Sequence, residues 1–341
     1  MKTKEEIIEK LQENYYVKPA TIDDAVQIAD LLNACSQHLI GLDEWDPGEL
    51  TADWGDPSFK LEDHSLMVFS DEKLIAYVEF WAISPPYVRH SYLARVHPDY
   101  RGRGIGRLLN DWAEAKARGF MQLADAELKV ILTCIINSQD KCAGLLMDVF
   151  GSEIVRSTWV MEADLSREIE QEKLPEGYEL RIVNQEEIPE IYALKVDTFR
   201  DHWGSIDIPF DEGLKQFTAH FVNDPFYRPD LWFVVEYCGE KVGLVIGNAA
   251  SSISPTYGWV NLLGVKRSHR KKGIGRILLQ YCNRVIKIAG GTKVGLSVDS
   301  SNLTGATRLY EDAGFKVIEV YNRYEKVLRD GKDIRTQSLS N

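Results

Sequence analysis

The sequence predicts an α+β or α/β layer fold that is built twice along the chain. Its 341 residues are enough for about two domains of ordinary size, each with its own core. A basic, glycine-containing turn occurs at 101–106 (turn 1) and again at 270–275 (turn 2), each after an apolar run and before a helix. Strand-like and helix-like segments follow the same order around both turns, which favours two layered domains over a solenoid of short repeats.

In the first half, helical periodicity alternates with apolar, β-branched and aromatic runs that are typical of strands. The predicted elements are a helix at 3–13 outside the repeat, a strand at 16–19, a helix at 23–38, an acidic loop with Glu44, Asp46 and Glu49, strands at 65–70, 73–83 and 91–97, a helix at 104–118, a strand at 129–136, a short helix ending near 150, and a strand pair at 154–163.

The second half repeats this order. Its predicted elements are a strand at 179–183, a helix at 185–200, a second helix from about 211, strands at 231–237, 241–248 and 258–265, a helix after turn 2 that ends near 289, a strand at 293–298, a helix at 305–313, and the last strands from 315. We therefore expect an N-terminal domain at 1–165, a charged linker at 166–177, a C-terminal domain at 178–328, and a polar, frayed tail at 329–341.

Composition excludes several classes of protein. Hydrophobic residues make up 44% and charged residues 27% of the chain, as in ordinary globular proteins. No apolar run approaches the ~18 residues of a membrane span, and the N-terminus lacks the apolar core of a signal peptide, so we expect a cytoplasmic protein without a membrane partner. The five cysteines include no Cys-x-x-Cys pair, so no metal site is expected.

The net charge of −12 argues against a nucleic-acid partner, which would require a basic face. An acidic surface would favour cationic small molecules such as amines, although many enzymes are simply acidic.

The two turns do not match other phosphate-binding motifs. A dinucleotide fingerprint would need glycine at the position of Arg107 in turn 1 and at Lys271 in turn 2, and a P-loop would need Gly-Lys followed by Ser or Thr. The shared pattern is Arg-x-x-Gly-x-Gly before an apolar helix. Glycines there let the backbone approach a pyrophosphate, which the helix N-terminus attracts. The plainer alternative is a tight strand-to-helix turn with solvated basic side chains.

The residues after turn 2 carry a family resemblance. Residues 302–315 have the form Asn-x-x-x-Ala-x-x-Leu-Tyr-Glu-x-x-Gly-Phe, and with Leu262–Val265 and turn 2 they resemble the GNAT superfamily of acetyl-CoA-dependent N-acetyltransferases. In the first half, Tyr92–Pro98 and turn 1 resemble the same family. The chain thus resembles a tandem GNAT protein of the mycothiol synthase type. This implies two domains, each with a mixed, mostly antiparallel central sheet flanked by helices.

The resemblance also implies roles for residues of the second half. Tyr310 would protonate the leaving thiolate as a general acid, and a strand would pair with the pantetheine arm of acetyl-CoA. The residues implied in cofactor binding are Leu263, Gly264, Val265, Arg270, Lys271, Lys272, Gly273, Ile274, Gly275, Arg276 and Asn302. The alternatives are that Asn302 only shapes a turn and that Tyr310 is a half-buried core aromatic.

In the first half, alignment of Gly151 with Gly314 places Met147 at the position of Tyr310, and methionine cannot donate a proton. We therefore expect a degenerate domain that binds CoA poorly or forms a wall of the substrate cleft, although a full active site there remains an alternative. The residues of this second possible CoA site are Val96, Arg101, Gly102, Arg103, Gly104, Ile105, Gly106 and Arg107.

The general base is less clear. In proteins of the mycothiol synthase type a glutamate is expected at the position of Trp259, so this chain departs from that pattern. His202 and Asp201 are candidates for the base or for a substrate contact, a helix-end packing role for His202 is the alternative, and a water chain could also remove the proton.

These features predict an acetyl-CoA-dependent N-acetyltransferase that transfers an acetyl group directly to a primary amine of a small molecule, with its active site in the C-terminal half. The acceptor could be an amino sugar, an amino acid or amide, an antibiotic or a polyamine, and the protein a monomer or homodimer. A non-catalytic acyl-CoA-binding sensor and a protein N-acetyltransferase are the alternatives.

Overall fold

The structure is a computed structural model that describes residues 3–56, 59–81, 85–170, 172–200, 202–252, 254–301 and 306–336. Its strands are β1 Tyr16–Lys18, β2 Ser65–Ser70, β3 Lys73–Trp81, β4 Arg89–Val96, β5 Val130–Asn137, β6 Glu153–Asp164, β7 Tyr178–Ile182, β8 Trp232–Tyr237, β9 Glu240–Asn248, β10 Tyr257–Val265, β11 Lys293–Asp299 and β12 Lys316–Arg329.

The helices are α1 Lys4–Gln12, α2 Ala25–Ile40, α3 Pro47–Trp54, α4 Leu61–His64, α5 Ile105–Phe120, α6 Lys141–Phe150, α7 Ile188–Phe199, α8 Phe210–Phe217, α9 Ile274–Ile288 and α10 Ala306–Asp312. Their ends follow local chemistry. Thr3 and Glu6 form a capping box at the start of α1, and Gly41 ends α2 with a φ of 73° in the left-handed region.

The chain forms two compact units, and neither is continuous in sequence. Unit 1 contains residues 1–156, 208–225 and 321–334, and unit 2 contains residues 157–207, 226–320 and 335–341. Each unit therefore includes segments from the other half of the sequence. The contiguous division into 1–165 and 178–328 stays a prediction about the repeats, and it does not describe how the compact units are assembled.

Unit 1 has a sheet with the strand order β1-β2-β3-β4-β5-β12. The pairing of β4 with β5 is parallel, and the other neighbouring pairs are antiparallel. Helix α2 packs on one face through a cluster that includes Tyr77 and Leu93, and α5 packs through Ile105, Leu109 and Trp112, which are all buried. Burying each such large apolar side chain contributes about 1.5–3 kcal/mol.

Unit 2 repeats this design. Its strand order is β6-β11-β10-β9-β8-β7, with β10 parallel to β11 and antiparallel pairing elsewhere. Helix α9 contributes Ile274, Leu278, Cys282 and Ile286 to the core beneath this sheet. The predicted mixed, mostly antiparallel sheet with flanking helices is confirmed in both units.

Several local predictions were wrong. The expected strand pair at 154–163 is the single strand β6, and the last strands are the single strand β12. Residues 158–164 of β6 pair with β11 and residues 321–329 of β12 pair with β5, both distant in sequence. The acidic loop around Asp46 contains α3, whose start Asp46 caps by accepting bonds from Gly48 N and Glu49 N. The tail is ordered up to Thr336, whose amide bonds to Ser205 O at 3.0 Å, while residues 337–341 lie outside the described residues.

Candidate functional site

Turn 2 leads into helix α9, whose N-terminus has no side-chain cap among the described residues. The chain leaves β10, makes a short turn at Arg267–His269, and enters α9 through Gly273, which has a φ of 81°. Among the described residues no side chain caps α9, so the amides of its first turn can serve an external anion. No described atom lies within 4 Å of a Cβ built on Gly273, so the approach to these amides is open.

Turn 1 has the same geometry in unit 1. Gly102 and Gly104 have φ values of 77° and 80°, and α5 starts at Ile105 without a side-chain cap from any residue that the structure describes. A Cβ on Gly104 would also meet no described atom within 4 Å. The sequence repeat therefore corresponds to two copies of one backbone conformation that suits a pyrophosphate.

The first arginine of each turn contacts the backbone of its own unit. Arg270 donates from Nε to Val265 O at 3.0 Å and from Nη2 to Thr198 O at 3.1 Å. Arg101 donates from Nε to Val96 O at 3.5 Å and forms an ion pair with Asp140 at 3.2 Å. Both guanidiniums hold the turn against the end of the preceding strand, and their direct contact with phosphate stays a prediction.

The other predicted basic residues lie at the exposed rim of the turns. Their contacts are Lys272 Nζ with Tyr178 Oη at 3.0 Å, Arg276 with Glu172 at 3.2 Å, Arg103 over the Tyr100 ring at 4.6 Å, and Arg107 with Asp111 at 2.9 Å. Lys271 is exposed and has a φ of 61°, a left-handed conformation that is uncommon for lysine. These side chains add positive charge around the backbone amides.

Each turn follows the first strand of a parallel pair, and the two strands of that pair diverge towards the turn. In unit 1 the registered pairs run from Arg89 opposite Ile131 to Ser91 opposite Thr133, and both strands continue beyond them. In unit 2 they run from Tyr257 opposite Lys293 to Val260 opposite Leu296. The remaining part of β10, Leu262–Val265, includes the predicted Leu263, Gly264 and Val265.

In unit 1 the diverging strands border a cavity of about 400 Å³. It reaches turn 1, and its lining includes the predicted residues Val96, Arg101, Gly102, Gly104, Ile105, Gly106 and Arg107. The structure thus brings most of the predicted second CoA site together. Arg103 is exposed at the rim of the turn.

Tyr310 lies on α10 and is only 7% exposed. Its ring packs 6.0 Å from that of Phe315, and burial raises the pKa of Tyr310 to about 12, so the phenol stays protonated at neutral pH. The adjacent Leu309 lies 3.9 Å from the position of a Cβ on Gly275, which packs α10 against the start of α9. This placement is compatible with both interpretations of Tyr310, as a general acid and as a core aromatic residue.

Gly264 is required by a close approach of α7. A Cβ on Gly264 would lie 2.5 Å from Thr198 Oγ1 and 3.0 Å from the Phe199 ring. The ring of Phe199 in turn contacts that of His202, with centroids 4.4 Å apart. His202 is thus connected to β10 through Phe199, while Asp201 and Asn302 lie outside the described residues.

Trp259 stands on β10 at the position where a glutamate was expected. Its ring lies over Gly295 of β11, so closely that no side chain would fit at that glycine. Within the described ranges, no group of three or more histidine, cysteine or acidic residues is placed to hold a metal ion. None of the helices in that part of the chain is long and apolar enough to cross a bilayer.

Among the cavity residues to which sequence reasoning gave no site role are Tyr92, Asn110 and Glu44. Tyr92 belongs to the motif before turn 1, and strand alternation from Val96 could have placed it on the same face. Glu44 was part of the acidic loop. Nothing in the sequence indicated a role for Asn110, because a polar residue on a helix is normally predicted to face solvent.

Comparison with known proteins identifies the family. Residues 26–133 and 188–315 both match the acetyltransferase (GNAT) family. The chain belongs to the GNAT family. A mycothiol acetyltransferase of Thermobispora bispora is 30% identical over 258 residues, which are 73% of this chain and 79% of that protein.

Solved structures agree with this GNAT assignment. A GCN5-related N-acetyltransferase from Sphaerobacter thermophilus superposes with a TM-score of 0.78 and 29% identity, over 96% of this chain and 99% of that one. A tandem GNAT protein from the clavulanic acid biosynthesis pathway gives a TM-score of 0.71 at 16% identity, over 93% and 100% of the two chains, and supports the fold alone. The chain is a tandem GNAT N-acetyltransferase, as its sequence predicted.

Proposed function

We propose that this protein transfers the acetyl group of acetyl-CoA to a primary amine of a small molecule, with chemistry in unit 2. The observation that carries the proposal is the uncapped start of α9 beside the diverging strands β10 and β11, with Tyr310 of α10 packed at the same end. The relationship to a mycothiol acetyltransferase supports a small-molecule acceptor.

Acetyl-CoA would bind with its pyrophosphate on the amides from Gly273 to Arg276. The helix N-terminus attracts the phosphate charge, and the rim lysines and Arg276 add to it. The pantetheine arm would lie along Leu263–Val265, where a backbone N–H could hold the thioester oxygen as charge develops on it. Asn302 would contact the cofactor or fix its loop.

The reaction needs no covalent enzyme intermediate. The amine nitrogen forms a bond to the thioester carbonyl carbon, the carbon–sulfur bond breaks, and the thiolate takes a proton from Tyr310, which regains one from solvent. One proton of the attacking amine leaves to a base, for which His202 is our candidate. A cytoplasmic location, the absence of nucleic-acid and membrane partners, and a monomeric or homodimeric state remain predictions.

To test this proposal, the activity of unit 2 is measured in a full chain whose turn 1 is impaired. In a Gly104→Asp background, which places a negative charge at turn 1, we expect acetyl-CoA-dependent thiol release with members of a panel of small primary amines. Tyr310→Phe in that background should lower kcat roughly 10²-fold and leave the KM for acetyl-CoA nearly unchanged, because the phenol acts on the leaving group.

Tyr281→Phe is the matched control, since it removes a phenol from α9 on the side of Phe233. It should keep the activity of the background protein. If Gly104→Asp alone abolishes transfer to every amine, or if Tyr310→Phe leaves kcat unchanged, chemistry does not reside in unit 2 as proposed.

A further inference from the structure

The gap between β4 and β5 connects the two faces of the unit 1 sheet. Val96 faces α5, since its Cγ2 lies 3.8 Å from the position of a Cβ on Gly106, and strand alternation places Ala94 and Tyr92 on that face. Leu93 packs in the α2 cluster on the other face. The cavity is lined from both sides, by α5 and α6 and also by α2. A ligand on turn 1 can therefore meet a second ligand from the α2 side.

On the α5 side of the cavity, Tyr92 of β4 provides a phenol hydroxyl, which α6 lacks. Met147 occupies the position aligned with Tyr310, but the hydroxyl of Tyr92 donates to Met147 Sδ at 3.6 Å. Cys134 Sγ lies 3.5 Å from the same sulfur, and all three residues line the cavity. Burial holds the pKa of Tyr92 well above its usual value, so the hydroxyl keeps its proton at neutral pH.

A second donor lies nearby on α5. Asn110 is only 3% exposed and lines the cavity, and its Nδ2 has no hydrogen-bond partner among the residues that the structure describes. A buried amide donor in this state is unfavourable unless a ligand accepts from it, by about 1–3 kcal/mol. Its position suits a carbonyl oxygen of an acyl-thioester arm that enters from turn 1.

On the α2 side, a carboxylate and an indole are fixed at the cavity wall. Asn33 Oδ1 accepts from Glu44 N at 3.0 Å and Trp45 N at 2.9 Å, and its Nδ2 donates to Trp45 O at 2.9 Å. Tyr321 Oη donates to Glu44 Oε1. A carboxylate beside an aromatic face is a favourable environment for an ammonium group.

The charges around the cavity restrict the acceptor. Arg101 and Arg107 are paired with Asp140 and Asp111, respectively. Arg95 also lines the cavity, and strand alternation places it on the same face as Leu93, where it donates to Ala94 O at 3.0 Å. This positive charge disfavours a second cation on the acceptor. The site therefore suits a small amine with a single positive charge better than a polyamine.

We propose that the cavity of unit 1 is a second acyl-transfer site for a small monoamine, in which Glu44 receives the amine and Tyr92 serves the leaving sulfur. The proposal rests on acetyl-CoA as the acyl donor. Glu44 takes a proton from the ammonium and releases it to solvent before the next turnover, and the freed nitrogen forms a bond to the thioester carbonyl carbon. As the carbon–sulfur bond breaks, Tyr92 donates its proton to the thiolate, and Tyr92 recovers a proton when the tetrahedral nitrogen loses its second one through solvent.

The experiment uses the full chain with unit 2 disabled by Gly273→Asp and Tyr310→Phe. Thiol release from acetyl-CoA is followed with tryptamine, tyramine and a panel of further small primary amines, and with spermidine and spermine. We expect transfer to one or more monoamines, with kcat/KM at least about tenfold above that for either polyamine. Release with no monoamine, or release only with polyamines, overturns the proposal.

Three variants in that background test the residue roles. Tyr92→Phe should lower kcat roughly 10²-fold with little change in the KM for acetyl-CoA. Glu44→Gln should raise the KM for the amine about tenfold, while Tyr321→Phe, which removes only a bond that holds Glu44, should raise that KM by less. Unchanged kinetics in Tyr92→Phe or Glu44→Gln, with an unfolding midpoint like that of the parent, would contradict the assigned roles.

The same set of proteins separates this proposal from the function assigned to unit 2. Loss of all transfer in the Gly273→Asp/Tyr310→Phe chain, with transfer retained in Gly104→Asp, overturns only the second site. The reverse pattern overturns only the assignment of chemistry to unit 2.

Discussion

At the scale of single residues, Arg101 and Arg270 illustrate how one basic motif serves two purposes. The motif suggested phosphate ligands, yet both guanidiniums donate to the carbonyl that ends the preceding strand. Such bonds contribute about 1 kcal/mol each and fix the angle at which the helix leaves the sheet. The proposed anion site would therefore be formed mainly by backbone amides, while the arginine holds the turn in the same way in both units.

His90 is a buried residue of unit 1 with a consequence for stability. It is fully buried on β4, 5.7 Å from the Phe80 ring and 6.3 Å from the Phe120 ring, and burial lowers its pKa to about 4. The folded state thus holds fewer protons than the unfolded chain below pH 6.5. His90 therefore leaves the free energy of unfolding undiminished above the pKa that it has in the unfolded chain. Below that pH the free energy of unfolding falls until the pH reaches the pKa of His90 in the folded state.

We predict that His90→Phe removes this acid sensitivity. The wild-type free energy of unfolding should include a loss of about 2 kcal/mol between pH 7 and pH 5 that is absent from the variant. Urea unfolding of both proteins at the two pH values measures the difference. Equal losses in wild type and variant would mean that His90 is not kept neutral by the fold.

The residues that sequence could and could not identify differ in kind. Gly104, Gly273 and Tyr310 belong to local motifs, so their spacing was enough to place the two glycines at helix starts and Tyr310 on a helix. Glu44 becomes a candidate only through contacts between elements distant in sequence, such as its bond with Tyr321. No local pattern encodes that proximity.

At the scale of elements, the same limit explains the errors in the last strands of each half. Both segments were recognised as strand-forming, but 154–163 was expected to be a strand pair and the segment from 315 to be more than one strand. In the structure, β12 runs beside β5 from Tyr321 opposite Asn137 to Arg329 opposite Val130. Lys326 Nζ also bonds to Glu114 of α5 at 2.5 Å. Unit 1 therefore depends on the end of the chain.

We predict that a chain ending at Val320 cannot form unit 1. It would expose the edge of β5 and the apolar surface that Tyr324 and Leu328 cover, both buried in the complete chain. Hydrogen exchange of β5 amides should rise from protected to nearly unprotected, or the protein should become insoluble. A chain ending at Thr336 is the control and should keep wild-type protection. Wild-type protection in the shorter chain would contradict this dependence.

At the scale of the whole molecule, duplication has kept one architecture and varied its chemistry. Both units keep the parallel strand pair, the glycine turn and the uncapped helix start. In our proposals they differ in the source of the phenol, which is α10 in unit 2 and β4 in unit 1. The sequence predicted the duplication and the family correctly. Its expectation that unit 1 is degenerate, which Met147 suggested, stays a prediction that our proposed second site opposes.

Our two proposals together require that turn 1 and turn 2 each hold the pyrophosphate of CoA. Calorimetric titration of CoA tests it most directly, with Gly104→Asp and Gly273→Asp compared with Gly104→Asn and Gly273→Asn. Asparagine tolerates the same left-handed φ without the negative charge, so the comparison isolates electrostatics. We predict two equivalents for the wild type, one for each aspartate variant, none for the double aspartate variant, and tighter binding in each asparagine variant than in its aspartate partner. Two equivalents retained in either aspartate variant would contradict the claim.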